Sequence, residues 1–509
     1  MVALLDDLTG NLPAWTRVPI AISAAAAVVV TFWTIRGIYR VHLHPLSKFP
    51  GPKEAAWSHD WVYRQTLTDY PESIYEQLHK KYKTRALRIA PDELHITDPT
   101  LYKVIYKQAN PFPKVDQFYL GFMALSPTAF TDTNPHTHRE RRRMLNNLFS
   151  KASVLKLEKL IFDSQNSLLR KIDRLCDHQL IDIYGAMRLI TTTVIMEFAF
   201  ADSGNMIEEQ PISFSSRFLQ AFSVGAESVG TMQRYPLART IAKTLPAWLI
   251  KMMDENIGAI DDMISFSRAA IQRYHTVSEQ GKAAHLGYPI VLDNLQTLDL
   301  DALVAESLDL LIAGSDTSAT SLTTTILELL SNPTYLKTLV DELDAAIPDK
   351  HNFPAGQELE KLPFLSSCVK EGIRHAKAVP GRLPRYVPDD GTPFVVDGEV
   401  VPPGTIVSIS AYTMHMDTDF WGPDARYFNP NRWLADDAKR LDEYSCAFGK
   451  GARMCLGMNL VPFEMTIVLA TLFRNFTLEL PSGFTPPRSV DNFTVEFPEG
   501  LYVRVSRRD

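Results

Sequence analysis

The chain has 509 residues, of which 45% are hydrophobic and 22% are charged, and its formal net charge is -7. This composition is typical of a folded globular protein and excludes a disordered chain, and the acidic balance gives no basis for a nucleic-acid partner. The four cysteines form no C-x-x-C pair, which argues against a disulfide scaffold or a structural zinc site and is typical of a reducing compartment.

An uncharged segment lies near the N-terminus. Residues 18–35 carry no charge and are flanked by Arg17 and Arg36. This length is at the lower end of what a transmembrane helix needs, about 17–25 residues. A secretory signal peptide is the alternative, but its apolar region is shorter, about 7–15 residues, and is followed by small residues rather than by arginine. We therefore predict one N-terminal transmembrane helix within a membrane anchor of residues 1–36. The basic residues that follow it place the rest of the chain in the cytosol.

A proline-rich segment follows the predicted anchor. Residues 44–52 contain three prolines and one glycine, a composition typical of a stiff, non-helical connector. We predict a hinge over residues 37–53, with a simple linker as the plainer interpretation. Because no further linker divides the chain, residues 54–509 are predicted to form a single domain.

Helical patterns dominate this domain. Apolar residues recur at spacings of three and four along most of it, whereas alternating patterns bounded by turn residues are short. The predicted fold class is mainly α with small β-sheets (α+β). The predicted segments are, in chain order, two strands in 87–96 with a turn at 90–92, helices over 137–202 and 214–271 with breaks at Pro236 and Pro246, a long helix over 298–330, a hairpin over 395–407 with its turn at Asp397 and Gly398, and short strands over 494–505.

The strongest chemical signal is the glycine-rich segment FGKGARMCLG, residues 448–457. Its glycines let the backbone bend tightly and approach a large flat ligand. Cys455 precedes a predicted helix over 460–473, a position where the helix dipole and backbone amides favour a thiolate. A thiolate is the ligand that a haem iron needs to cleave the O–O bond. The structural alternative is a buried cysteine in a glycine-rich turn.

This segment resembles the cysteine loop of the cytochrome P450 family, and other parts of the family pattern follow the expected order. Glu371 and Arg374 are similar to its E-x-x-R pair, and residues 428–433 resemble its partner segment. A pair at this spacing is by itself commonly a surface ion pair. The resemblance implies that Glu371, Arg374 and Arg432 form a buried triad with a structural role, within the cytochrome P450 fold.

The long predicted helix carries the sequence AGSDT at residues 313–317. It resembles the oxygen-activation segment of the family, in which Gly314 makes room for O2. Asp316 and Thr317 are the implied catalytic pair, since a hydroxyl can donate to bound oxygen and a carboxylate can relay protons from water. The alternative is a pair of polar residues that merely bond to the backbone of an ordinary helix.

The resemblance also implies which residues hold haem b, iron protoporphyrin IX. Arg142, in a basic segment that begins a helix, and Arg382, beyond the E-x-x-R pair, are implied ligands of the propionates. His138 is implied as a second donor, at a position where relatives often have tryptophan. The implied cofactor residues are His138, Arg142, Arg382, Phe448, Arg453, Cys455 and Gly457, with Cys455 as the iron ligand.

The expected function is a haem-thiolate monooxygenase that inserts one oxygen atom from O2 into an apolar small molecule. We find no flavin or nicotinamide fingerprint in the sequence. Electrons are therefore expected from NADPH through a separate NADPH-cytochrome P450 reductase, with cytochrome b5 as an additional donor. Arg139, Arg143 and Lys450 are expected to face that reductase. The expected location is the endoplasmic reticulum membrane, in contact with its lipid, with the catalytic domain in the cytosol.

Residues 44–46, 88–95 and 381–385 resemble fungal members of the family that act in secondary metabolism. They favour a terpenoid or polyketide-type substrate, whereas Lys377 departs from the proline that many relatives have. An apolar pocket is the usual site for such a molecule. The predicted pocket residues are Phe118, Phe122, Ile312, Ala313, Ala378 and Val379.

Two other functions remain open at this point. The first is a haem-thiolate isomerase or dehydratase that acts on a peroxide without a reductase, although such enzymes tend to lose the acid and alcohol that Asp316 and Thr317 supply here. The second is a non-catalytic membrane protein that binds haem as a sensor or carrier. Consumption of NADPH and O2 in the presence of a reductase would separate them.

Overall fold

The computed structural model describes residues 14–508 except 124, 247, 250–251, 253–254 and 280–285. Residues 1–13 of the predicted anchor lie outside this range. The described residues are mainly helical with small sheets, which confirms the predicted fold class. The α-helices are α1 (Ala14–His42), α2 (Lys53–Trp57), α3 (Asp60–Thr66), α4 (Pro71–Tyr82), α5 (Tyr102–Ile105), α6 (Asp116–Tyr119), α7 (Pro135–Leu145), α8 (Lys151–Val154), α9 (Glu158–Leu175), α10 (Ile183–Phe200), α11 (Met206–Glu209), α12 (Arg217–Ala226), α13 (Val229–Arg234), α14 (Pro236–Thr244), α15 (Glu255–Glu279), α16 (Val291–Leu295), α17 (Leu300–Ser331), α18 (Pro333–Ala346), α19 (Gly356–Leu359), α20 (Pro363–Ala376), α21 (Ala411–Met416), α22 (Thr418–Trp421), α23 (Leu441–Tyr444) and α24 (Leu460–Asn475).

The strands form small sheets that draw on both halves of the chain. In one sheet the order is β1-β2-β7-β4, with β2 and β7 parallel and the other pairs antiparallel. Three smaller sheets have the orders β3-β11-β8, β10-β9 and β5-β6. The strands are β1 (Ala86–Ala90), β2 (Glu93–Ile96), β3 (Ile181–Asp182), β4 (Arg385–Tyr386), β5 (Phe394–Val396), β6 (Glu399–Val401), β7 (Ile406–Ser408), β8 (Phe476–Glu479), β9 (Val490–Asn492), β10 (Thr494–Glu496) and β11 (Tyr502–Arg507).

The core is built around two apolar helices, α10 and α17. Helix α10 is long and apolar enough to cross a bilayer, yet 94% of it is buried inside the protein, so it is a core helix. Helix α17 has 32 residues, begins at the N-cap Asp299 and ends at Asn332 before Pro333. Its predicted extent of 298–330 is therefore correct to within two residues at each end. Its length lets it contribute both to the hydrophobic core and to the cavity described below.

The helical pattern predicted over 137–202 comprises several helices and one short strand. Helices α8, α9 and α10 lie in it, α7 overlaps its start, and the short strand β3 separates α9 from α10. Strand β3 pairs with β11 near the C-terminus, through Ile181 and Val503. Because this pairing partner lies more than three hundred residues away, the local pattern could not show the strand.

The N-terminal helix is longer than predicted. Helix α1 continues to His42, and its Ile20–His42 part is apolar, almost wholly exposed and a candidate membrane span. The hinge predicted over 37–53 is therefore helical in its first six residues, and residues 45–48 form a 3₁₀ turn. The last turn of α1 is attached to the domain, since Arg88 donates to the Arg40 carbonyl at 2.9 Å and Arg40 donates to the Trp57 carbonyl at 3.0 Å. These contacts explain why the helix continues past Arg36 to His42.

Candidate active site

A large cavity, with a volume of about 820 Å³, brings together motifs from distant parts of the chain. Its lining includes Cys455 from the glycine-rich loop and Ala313, Gly314 and Thr317 from α17. The Cys455 side chain is deep in the protein but open to this cavity. The cysteine and the helix motif that the sequence singled out therefore share one site.

The glycine-rich loop holds Cys455 through backbone hydrogen bonds. Gly449 and Gly451 have positive φ angles of 67° and 71°, and a Cβ on Gly451 would lie 2.5 Å from the Lys107 backbone. The Cys455 N–H donates to the Phe448 carbonyl at 2.8 Å, and the Gly457 N–H donates to the Cys455 Sγ at 3.3 Å. The loop thus aims the sulfur into the cavity.

The predicted source of thiolate stabilisation needs a correction. A 3₁₀ turn over Leu456–Met458 separates Cys455 from α24, which begins at Leu460, so the cysteine is not at the terminus of the long helix. Burial raises the pKa of the Cys455 thiol, whereas the Gly457 N–H and the charge of Arg142 lower it. Local donors, rather than a helix dipole, therefore favour the thiolate.

Basic side chains cluster on the cavity wall. Arg142, Arg453, Lys114 and Arg385 all line it, together with His138. Burial and the charges of Arg385 and Arg453 hold the pKa of Lys114 well below its usual range. Burial and Arg385 lower the pKa of Arg453 to about 10, and burial and Arg453 lower that of His138 to about 3. The basic groups of the cluster thus destabilise one another's charged forms, and a ligand with two carboxylates would relieve this repulsion. Haem has two propionates and fits this wall.

Arg382 does not lie with this cluster. Its Nε is 2.9 Å from the Glu93 Oε1, and it lines a separate, smaller pocket of about 80 Å³. Because Glu93 already pairs with it, this placement counts against the predicted propionate role of Arg382. Arg385, three residues further on, lines the large cavity, as does Lys114, and sequence reasoning missed both. The two are backbone neighbours through a β-bridge, a pairing between distant segments that no local motif reveals.

A matched pair of substitutions separates the two arginines. Arg385→Gln is expected to weaken haem binding about 10- to 100-fold, because a charged hydrogen-bonding partner is worth about 1.5–3 kcal/mol. Arg382→Gln is expected to leave haem binding unchanged. The measurement is haem transfer from the purified holoprotein to an excess of apomyoglobin. A faster loss from Arg382→Gln than from Arg385→Gln would contradict the reassignment.

Helix α17 presents different residues to the cavity and to the core. Ala313 and Thr317 lie one turn apart on the cavity side, and the Thr317 hydroxyl donates to the Ala313 carbonyl at 2.8 Å. Gly314 also lines the cavity, but a Cβ there would lie 2.9 Å from the Ile195 side chain of α10. Glycine is therefore required here for the close packing of α17 against α10.

Asp316 points away from the cavity, into the protein. It is fully buried, and its two carboxylate oxygens accept hydrogen bonds from Arg188 of α10 at 2.7 and 3.0 Å. Although burial lowers the pKa of Arg188, the charge of Asp316 raises it above its usual value. Asp316 is therefore held in a buried ion pair with Arg188, a partner that the sequence did not indicate.

Most of the predicted pocket residues line the cavity. They are Phe122, Ile312, Ala313, Ala378 and Val379. Phe118 is the exception, because it lies in the smaller pocket, where the Arg382 guanidinium is 5.4 Å from its ring centroid. The helix that carries Phe118 turns its neighbour Tyr119 to the cavity instead.

Comparison with known proteins shows the family of this chain. The sequence profile described as cytochrome P450 matches residues 49–503. This chain belongs to the cytochrome P450 family. It is 31% identical to the cytochrome P450 monooxygenase aneF of Aspergillus aculeatus, over 94% of this chain and 98% of that protein. It is 32% identical to the cytochrome P450 monooxygenase sdnE of Sordaria araneosa, over 87% and 89%. It is also 30% identical to the tryptophan 6-hydroxylase fscE of Fusarium equiseti, over 87% and 88%.

Family membership gives the broad chemistry. This cytochrome P450 is a haem-binding oxidoreductase of the haem-thiolate monooxygenase class, and such enzymes use O2 and a redox partner. Its relatives are monooxygenases from fungi.

The E-x-x-R pair lies in α20, inside a buried network. Glu371 and Arg374 are both fully buried, and Arg374 donates to Glu371 at 2.7 and 2.9 Å. Arg432 also donates to Glu371 at 3.0 Å, and so do the Asn429 N–H and the Trp433 indole, each at 2.9 Å. Every donor of this network comes from α20 or from the segment just before the cysteine loop.

Proposed function

We propose that this cytochrome P450 inserts one oxygen atom from O2 into a C–H bond of a mainly apolar small molecule. The observation that carries the proposal is the shared cavity in which Cys455, Thr317 and apolar side chains are all exposed. Haem held there would supply the oxygen chemistry, and the protein would supply binding, orientation and protons.

The residues around the cavity take distinct roles in this proposal. Cys455 would hold the haem iron, and the Gly457 N–H would stabilise its negative charge. The propionates would be held by Arg142, Arg385, Arg453 and Lys114, with His138 beside them. Phe448 lines the cavity and supplies the carbonyl that fixes the Cys455 amide.

Thr317 and Asp316 supply protons in this proposal. The Thr317 hydroxyl lies in the cavity and can turn from the Ala313 carbonyl to a bound ligand. Asp316, paired with Arg188, sits beside it in sequence and outside the cavity. The pair thus connects the cavity to a buried charged network, as proton transfer from the interior requires.

The proposed substrate is a terpenoid or polyketide-type secondary metabolite. The support is the apolar lining, which includes Phe122, Ile312 and Val379, and the fungal relatives of the chain. The name of one relative gives tryptophan as its substrate, so similarity to these fungal enzymes does not by itself imply a hydrocarbon substrate. The cavity must hold haem and substrate together.

The proposed partners are NADPH-cytochrome P450 reductase and, as an additional donor, cytochrome b5. Arg139 and Arg143 are exposed on α7 and offer a basic surface to an acidic partner. The proposed location is the endoplasmic reticulum membrane, with α1 in the lipid and the domain in the cytosol. Fractionation of cells that express the full chain tests this location.

Thr317→Val tests the proposed reaction. With reductase, NADPH and O2, the wild-type holoenzyme is expected to consume NADPH and to hydroxylate a substrate found by screening terpenoids and polyketides. Thr317→Val removes the hydroxyl but keeps the shape, so product formation should fall about 100-fold while NADPH consumption continues. Product per NADPH is the quantity to measure.

Thr324→Val, on the same helix but away from the cavity, is the matched control and should behave like the wild type. Conversion of a peroxide without NADPH would instead favour an isomerase or dehydratase. Haem binding with neither activity would favour a sensor or carrier.

A further inference from the structure

An acidic side chain interrupts the apolar wall of the cavity. Asp309 lies on α17, one turn before Ala313, and lines the cavity between Leu308 and Leu310. A carboxyl group in such a place costs free energy unless something hydrogen-bonds to it. It is not one of the basic groups assigned to the haem propionates.

Only one of its two oxygens is used within the protein. The Thr128 hydroxyl donates to the Asp309 Oδ2. Among the described residues, none donates to Oδ1, and the side chain stays partly accessible from the cavity. Glu306, one turn earlier on the same helix, differs in this respect, because it accepts from the Ala129 N–H at 3.1 Å and from Arg141 at 3.2 Å. Glu306 is thus a structural acid, whereas Asp309 keeps a free acceptor.

The surroundings favour a neutral donor rather than a cation. The pKa of Asp309 is raised to about 7, because burial and Glu306 raise it more than the Thr128 hydrogen bond and Lys114 lower it. A carboxyl group that is only partly ionised and already near Lys114 gains little from a further basic group. A hydroxyl suits it better, because a hydroxyl can donate to the carboxylate and can also accept from the protonated form.

We propose that Asp309 binds a hydroxyl group of the substrate and thereby selects oxygenated molecules over bare hydrocarbons. This inference rests on the proposed function and refines its substrate class. The eight residues from Asp309 to Thr317 correspond to about 12 Å along the helix axis. The anchored hydroxyl and the carbon that is oxidised near Thr317 would therefore lie on separate parts of the substrate.

Imidazole-tethered probes test the anchor without knowledge of the substrate. An imidazole nitrogen coordinates the haem iron, so a series of ω-(imidazol-1-yl)alkanols of rising chain length acts as a ruler from the iron to Asp309. Each alcohol is compared with its methyl ether, which lacks the donor. Titration of the holoprotein, followed by the Soret band, gives both dissociation constants.

The wild type is expected to bind one length of alcohol about five- to tenfold more tightly than the ether, the value of one hydrogen bond. Asp309→Leu should remove this preference, and Asp309→Asn, which keeps an acceptor, should retain part of it. Thr128→Val should keep the preference, which separates the anchor from a merely structural role of the Thr128 contact. Ile312→Ala should weaken alcohol and ether alike.

The proposal would be overturned if the wild type bound alcohol and ether equally at every chain length. It would also be overturned if Asp309→Leu weakened the binding of both by the same factor. A holoenzyme that shows the preference but no NADPH-dependent oxidation would leave the anchor standing and refute the proposed reaction. The two failures are therefore distinguishable.

Discussion

Cys455→Ala is expected to abolish the strongly red-shifted Soret band of the reduced, carbon monoxide-bound protein and all NADPH-dependent product formation. The sulfur is the only thiol of the glycine-rich loop, residues 448–457, and it lies open to the cavity. Without it the iron would lose the thiolate that haem needs for oxygen cleavage. The fold itself should survive, since the substitution removes one weak hydrogen bond from Gly457, worth about 1 kcal/mol.

Cys446→Ala is the matched control. Cys446 also lines the cavity, nine residues before Cys455, but it is buried and its Sγ lies 3.7 Å from the His415 Nε2. Burial raises the pKa of its thiol to about 12. The control should therefore keep the red-shifted band. A band that persists in Cys455→Ala, or disappears in Cys446→Ala, would show that the assigned ligand is incorrect.

Local patterns predicted much of the fold. The turn at Asp397 and Gly398 joins β5 and β6, and the helix after the glycine-rich loop was expected over 460–473 and runs from Leu460 to Asn475. These elements were predictable because turn residues and apolar periodicity act over a few residues. The strand β3 and the attachment of α1 through Arg40 and Arg88 were not, because their partners are far away in sequence.

The same distinction applies to the candidate site. Cys455, Thr317 and the E-x-x-R pair sit in compact motifs, and the structure places the first two in one cavity and the pair in a buried network. The sequence alone could not distinguish Arg382 from Arg385 as a propionate ligand, because both lie in one short segment. Strand β4, paired with β7 and bridged to Lys114, turns Arg385 to the cavity, whereas Glu93 of β2 takes Arg382. The roles of Asp309 and Arg188 likewise depend on contacts with residues of other elements, which the sequence does not show.

Glu371→Ala is expected to cost about 3–5 kcal/mol of unfolding free energy, the largest stability loss from any single substitution considered for this chain. The carboxylate is the shared acceptor for Arg374 and Arg432, so its removal leaves two buried guanidinium groups facing each other. Denaturant unfolding of the holoprotein, with haem content followed in parallel, measures the effect. Lys361→Ala, which breaks an exposed i, i+3 pair with Glu358, should cost less than about 0.5 kcal/mol.

The same substitution should also loosen the haem site, because the network is connected to the cysteine loop. Arg374 donates to the His415 carbonyl at 2.8 Å, and the His415 Nε2 accepts from the Cys446 N–H at 3.1 Å. The connection between this network and the cysteine loop would be contradicted if Glu371→Ala retained all of its haem. It would also be contradicted if Glu371→Ala and Lys361→Ala lost similar amounts of stability.

The effect has a defined pH dependence. Burial raises the pKa of Glu371, but the hydrogen bonds and charges of Arg374 and Arg432 outweigh this effect and hold that pKa below its usual value. A depressed pKa stabilises the fold above the unfolded-state value, about 4.3, and this contribution disappears as the pH falls through the folded-state pKa. The difference in stability between the wild type and Glu371→Ala should therefore be constant near neutral pH and should shrink only under acid conditions, as expected if the buried carboxylate itself, and not merely the packing of its side chain, holds the loop.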